Sequence, residues 1–167
     1  MVKMNKLMLF LVSSVLMLAG CTSQQLPDNW HPLTRVVERT NIVVSPTVVT
    51  TVSPLLITGD LDWFNERYPV GSVAHEALRR HEVQHAIEQE EYPQGKAAWF
   101  YRYLRDKDFR WGVEQRGYKE AILYKRSQGQ WINVEGLAAT LSGNVYNNMV
   151  SFEDARKWVL DVLAGRQ

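Results

Sequence analysis

Residues 72–93 read SVAHEALRRHEVQHAIEQEEYP, and the organisation of the chain is read outward from them. Ser72 offers a hydroxyl to cap a helix, and Tyr92-Pro93 with Gly95 ends it, so one helix is expected from Ser72 to about Glu90. Inside it stands His81-Glu82-Val83-Gln84-His85. Four helical residues turn about 400° and rise about 6 Å, which puts both imidazoles on one face, one turn apart. Two nitrogens so placed reach one Zn2+ at about 2.0–2.1 Å each. Glu82 follows the first histidine, where it leans over such a metal without binding it and takes a proton from the metal's water. Composition alone would produce this pattern about 0.006 times in a chain of this length and histidine content, so a chance histidine pair on a surface helix is a weak account of it.

After this helix, residues 96–105 read as a second helix and residues from about 111 to 126 as a third, despite Gly112 and Gly117. Ser127-Gln128-Gly129 breaks the pattern. Residues 133–148 are expected to be helical because Leu137, Leu141 and Val145 recur at four. The last helix has Ser151 as cap, Asp154 three residues on, and Phe152, Ala155, Val159 and Val162 as its apolar stripe. Before residue 60 the character is different. Residues 35–57 are rich in Val, Thr and Ile, with Pro46 and Pro54 as interruptions, and predict one or two strands over 35–39 and 41–44 and another over 47–52. Leu55 to Thr58 reads as a short edge strand ending at Gly59-Asp60. Strands first and helices afterwards argue for an α+β fold. No internal repeat is present.

The N-terminus carries an address. Lys3 and Lys6 precede an apolar run from Leu7 to Ala19, interrupted only by Ser13 and Ser14. Thirteen helical residues span about 20 Å, short of a hydrocarbon core about 30 Å thick, so residues 1–20 read as a signal peptide. The run ends Leu18-Ala19-Gly20-Cys21, which resembles the lipobox of bacterial lipoproteins. That resemblance implies lipidation of Cys21 and cleavage just before it, with more than one acyl chain giving a stable anchor. Thr22 follows the cysteine where inner-membrane retention signals have Asp, which implies the outer membrane of the cell envelope. Residues 21–32 are polar and Pro-bounded and read as a tether, with His31 in it. Without the two lysines of the leader the net charge falls from +1 to −1, so nothing points to nucleic acid as a partner. Cys21 is the only cysteine, which excludes a disulfide within the chain.

Two histidines leave a catalytic zinc one protein ligand short. A metzincin would continue with Gly at position 88 and His at position 91, but the chain has Glu88 and Glu91, and that family is excluded. HEVQHAIEQ (81–89), GKAAWFYRYLRD (95–106) and FRWGVEQRGYKEAI (109–122) together resemble the minimal gluzincin-like metallopeptidase domains of bacteria and phages, over roughly residues 70–122. The resemblance implies a zincin-like catalytic domain over residues 33–167, with a small N-terminal β-sheet flanking the HExxH helix and several helices following. It also implies a third zinc ligand from a downstream helix, in the pattern Glu-x-x-small-Asp. Glu114-Gln115-Arg116-Gly117-Tyr118 fits that pattern, with Tyr in place of Asp. Another carboxylate, or none, then orients the histidines. Glu120 and Glu135 compete with Glu114. Glu120 has the large Leu123 three residues on, and Glu135 lies fifty positions past His85 in a segment broken by glycines.

Other residues carry smaller expectations. His75 lies about 240° around the helix from His81 and reads as a surface residue. Arg79 and Arg80 read as a solvated face. Trp99, Phe100, Tyr101, Tyr103, Phe109 and Trp111 read as core, with a substrate cleft as the other role. Tyr101, Tyr103 and Tyr118 are candidate donors to an oxyanion. The function expected is zinc-dependent hydrolysis of peptide bonds in a peptide or protein substrate, with His81, His85 and Glu114 as ligands and Glu82 as base. A zinc-stabilised envelope lipoprotein without catalysis, and an amide hydrolase acting on peptidoglycan, are the other readings.

Overall fold

Val36, Val37, Leu56 and Ile57 are buried side chains on two neighbouring strands, and the β-rich part of the chain forms around them. The computed structural model describes residues 22–39 and 48–167, and the chain divides into two units, Met1–Arg67 and Tyr68–Gln167. In the first unit four strands, β1 (Ser23–Gln25), β2 (Arg35–Glu38), β3 (Val49–Val52) and β4 (Leu55–Thr58), form one sheet in the order β1-β2-β4-β3. β1 runs antiparallel to β2, β2 parallel to β4, and β3 antiparallel to β4. Helix α1 (Leu61–Arg67) follows, capped by Asp60, whose carboxylate accepts from the Trp63 amide at 2.9 Å.

Three readings of this unit are corrected. Leu55–Thr58 is an interior strand, not an edge: it pairs on both sides. Its consecutive residues Leu56, Ile57 and Thr58 are all buried, the signature of a strand covered on both faces. Pro54 precedes the strand, where its missing N–H removes no ladder bond. Residues 21–32 are not simply a tether, because Ser23–Gln25 pairs with β2, and Leu26 and Trp30 are buried, Trp30 at 0% exposure. An edge strand with both faces in water needs no apolar side chains, which is why SQQ gave no strand signal. The single domain expected over residues 33–167 divides at Arg67 and Tyr68, so the sheet and the HExxH helix belong to different units. Cys21, the signal peptide and the strand expected at 41–44 lie outside the described residues. Among the described residues no helix is long and apolar enough to cross a membrane.

The second unit is helical. It contains α2 (Val73–Glu91), α3 (Lys96–Arg105), α4 (Lys107–Ser127), α5 (Val134–Ser142) and α6 (Phe152–Leu163). Ser72 caps α2, its hydroxyl accepting from the His75 amide, and Ser151 caps α6 in the same way through Asp154. Helix α4 starts four residues earlier than expected. Asp106 alone separates it from α3, and its carboxylate caps the new helix by accepting from the Phe109 amide at 3.0 Å. Helix α5 stops at Ser142 rather than running to 148. After Gly143 comes a single 3-10 turn (Asn144–Tyr146), and then Asn147 and Asn148 adopt φ of 54° and 48°, a left-handed conformation that cannot continue a helix and that Asn tolerates. Ile122, Ala138, Leu141, Met149, Ala155, Trp158, Val159 and Val162 form the apolar core shared by α4, α5 and α6. Helix α2 packs chiefly on α4, away from that core, and its buried positions include His81, Glu82, His85 and Gln89. Burying so many polar groups along one helix is costly unless they answer one another or a ligand.

Candidate metal centre

The facing surfaces of α2 and α4 meet at a glycine. A methyl group on Gly117 would lie 2.9 Å from Cε1 of His85 and 3.1 Å from two ring carbons of His81, so only glycine lets the two helices close this far. Glu114 lies one turn before Gly117 on the buried face of α4, at 2% exposure. Its Oε2 stands 3.4 Å from Nε2 of His81 and 3.7 Å from Nε2 of His85. The two Nε2 atoms are 2.8 Å apart. His81, His85 and Glu114 form a buried group that could hold a metal ion, one donor atom from each lying within 4.8 Å of the others.

The donor set fits zinc on two counts. Ligand atoms at about 2.0–2.1 Å in a tetrahedron lie about 3.3 Å from one another, and the three separations here, 2.8, 3.4 and 3.7 Å, bracket that value. Oε2 of Glu114, though buried, takes no hydrogen bond and is turned toward both histidines. A carboxylate oxygen without a donor in a buried site is a destabilising arrangement that a cation relieves. Burial by itself would raise the pKa of Glu114 and favour its neutral form. The two imidazoles, His85 first, reverse this and hold the carboxyl below the ordinary carboxylate range.

Around the three lies a ring of tyrosines. The Tyr103 hydroxyl, from α3, donates to Oε1 of Glu114 at 2.5 Å. The Tyr118 ring sets its edge against His81, with centroids 4.4 Å apart, and its hydroxyl meets that of Tyr146 at 3.1 Å. Burial pushes the Tyr103 hydroxyl well above its usual range, helped by the Glu114 charge and, more weakly, by the Glu82 carboxylate. Burial and Glu114 likewise raise Tyr118, again with a contribution from Glu82, and raise Tyr146. All three therefore stay protonated and serve as donors at neutral pH. Glu82 follows His81 directly on α2 and is itself buried.

The competing carboxylates are elsewhere. Glu120 is exposed, and Glu135 is exposed and paired with Arg156 at 2.7 Å. Tyr101 is exposed, so of the three tyrosines named from sequence it stands apart. His75 is buried rather than at the surface. Seven residues before Glu82, it falls on nearly the same line of the helix, and burial lowers its affinity for a proton. Arg79 and Arg80 are not a free solvated face: both bond Glu76, and Arg80 lies over the Tyr124 ring at 4.5 Å. Trp99 is core, stacked on Tyr103 with centroids 5.0 Å apart. Nδ1 of His85 is buried without a hydrogen bond, so among the described residues no carboxylate takes the place of the absent Asp at 118 for that ring. Sequence reasoning missed Tyr146 altogether, and its position after a helix break gave no periodic signal.

Comparison with family models, with curated proteins and with solved structures brings no match. The functional reading therefore rests on the chain's own residues.

Proposed function

We propose that this chain is a zinc-dependent metallopeptidase of gluzincin type, built on a zincin-like arrangement of α2 and α4 and carried on an outer-membrane lipoprotein through Cys21. The observation that carries the reading is the buried group of His81, His85 and Glu114 with Glu82 next to its first histidine. Those three side chains would hold the ion. When bound, zinc supplies Lewis acidity, polarising a carbonyl and lowering the pKa of water to about 7. Glu82 acts as general base: its carboxylate accepts a proton from the attacking water and passes it to the leaving amine. Tyr103 is occupied with Glu114, so Tyr118, with Tyr146 behind it, is the donor left near the histidines for charge developing on the carbonyl oxygen. A purely structural zinc site has no use for a buried carboxylate beside its first ligand, and this favours catalysis over the non-catalytic lipoprotein.

The test is digestion of an unbiased peptide library, and of peptidoglycan, by the zinc-loaded full chain with and without chelator. Chelator-sensitive cleavage of peptides is expected. Cleavage confined to peptidoglycan amides would move the substrate to the wall, and a zinc-loaded chain inert on both would refute catalysis.

A further inference from the structure

Arg110 is buried on α4, yet it has no carboxylate partner among the described residues. Its guanidinium instead donates to three main-chain carbonyls: Nε to Tyr103 at 2.8 Å, Nη2 to Leu104 at 3.2 Å and Nη1 to Tyr146 at 3.0 Å. Tyr103 and Leu104 belong to the last turn of α3, whose carbonyls have no partner within the helix and lie at the negative end of its dipole. A guanidinium there is electrostatically well placed, but a cap at a helix end ordinarily sits in water. Burying this one serves a purpose beyond ending α3.

The purpose is visible in what Arg110 holds. Tyr103 is fixed at three points. Its carbonyl accepts from Arg110, its ring stacks on Trp99 with planes 9° apart, and its hydroxyl donates to Oε1 of Glu114. Glu114 is four residues after Arg110, one turn along the same face of α4, so Arg110, Tyr103 and Glu114 close a loop across the α3–α4 junction. With Oε1 held, the carboxylate cannot rotate freely, and Oε2 faces the two histidines. The third donation of Arg110 ties down the turn that carries Tyr146, whose hydroxyl meets that of Tyr118, the ring set against His81.

We propose that Tyr103 and Arg110 are positioning residues of the metal centre: Tyr103 holds one oxygen of Glu114 so that the other alone is presented to the ion, and Arg110 acts through Tyr103. This rests on the zinc reading above and deepens it. The experiment is zinc affinity of the full chain by chelator competition, for wild type, Tyr103→Phe, Arg110→Met and the double variant, well below the temperature at which the zinc-free proteins unfold. Tyr103→Phe keeps the stacked ring and removes only the hydroxyl. It should lose about 10–100-fold in affinity, as removal of a ligand's orienting partner does, with little change in the unfolding temperature of the zinc-free chain. Arg110→Met should lose a comparable factor in the wild-type background but less than about twofold more in the Tyr103→Phe background, since neighbouring residues acting through one interaction are not additive. A merely structural Arg110 would cost the same factor in both backgrounds, which would overturn its role. Should Arg110→Met not fold, Arg110→Lys replaces it in the same cycle, and Tyr103→Phe alone still decides the first half. Zinc held by Tyr103→Phe as tightly as by wild type would overturn the proposal while leaving the zinc reading intact. A wild type that binds no zinc would overturn both.

Discussion

Replacing Gly117 by alanine adds one methyl group where α2 and α4 touch, and the structure fixes what it meets. The new carbon would stand 2.9 Å from Cε1 of His85 and 3.1 Å from Cδ2 and Cε1 of His81. Comfortable separation between such carbons is about 3.5–4.0 Å, so one or both rings must retreat by about 0.5 Å or more. Metal–ligand distances tolerate only about 0.2 Å. Overpacking costs about 1–3 kcal/mol, and alanine in a helix returns about 0.8–1 kcal/mol relative to glycine. The zinc-free chain should therefore lose only about 0–2 kcal/mol of stability, while zinc affinity falls by at least about tenfold. Gly112→Ala is the control on the same helix. Its methyl would meet only Nη1 of Arg116, at an ordinary 3.5 Å, so it should gain up to about 1 kcal/mol of stability and bind zinc unchanged. Chelator competition reads the affinity, and thermal unfolding of the zinc-free proteins reads the stability. Wild-type zinc affinity in Gly117→Ala would refute the claim that this glycine exists to admit the two imidazoles.

The third ligand and the leader sequence each carry a further expectation. Among single alanine variants, Glu114→Ala should lose stoichiometric zinc, whereas Glu120→Ala and Glu135→Ala should keep it; metal analysis of the purified proteins checks this, and the reverse pattern would move the ligand. Cys21→Ser should shift the protein from the membrane fraction to the soluble fraction or block its processing, as fractionation and mobility on gels would show; unchanged partition with normal trimming would contradict the lipid anchor.

What the sequence revealed and what it hid divide along physical lines. Helix ends set by local chemistry were legible: the Ser72 and Ser151 hydroxyls each accept from the amide three residues on, and the 96–105 helix lies where it was expected. The start of α4 was hidden because one aspartate serves as the boundary of two helices, without glycine or proline to mark it. Helix α1 was hidden because Gly59-Asp60 reads equally as the end of a strand and the cap of a helix. The strand at residues 23–25 had no apolar pattern, although Leu26 and Trp30 in a polar stretch were a signal that it packs against something.

The centre divides in the same way. His81, Glu82 and His85 follow from spacing along one helix, and Glu114 from the resemblance to the gluzincin pattern with its small residue one turn on. Tyr103 and Arg110 do not, because their work depends on how the end of α3 approaches α4, and no periodicity in either helix encodes that approach. Nor did the aromatic cluster announce that one of its members, Tyr103, would turn its hydroxyl onto a carboxylate while its ring stays stacked in the core.

Glu82 binds no metal in the proposed mechanism and yet performs its chemistry. The decisive measurement is the rate of peptide hydrolysis by Glu82→Gln, loaded with one zinc per chain and compared with wild type at equal zinc. Loss of a positioned proton acceptor predicts a rate lower by about 10²–10⁴-fold with zinc retained. A zinc-loaded Glu82→Gln that cleaves at the wild-type rate would contradict the mechanism outright.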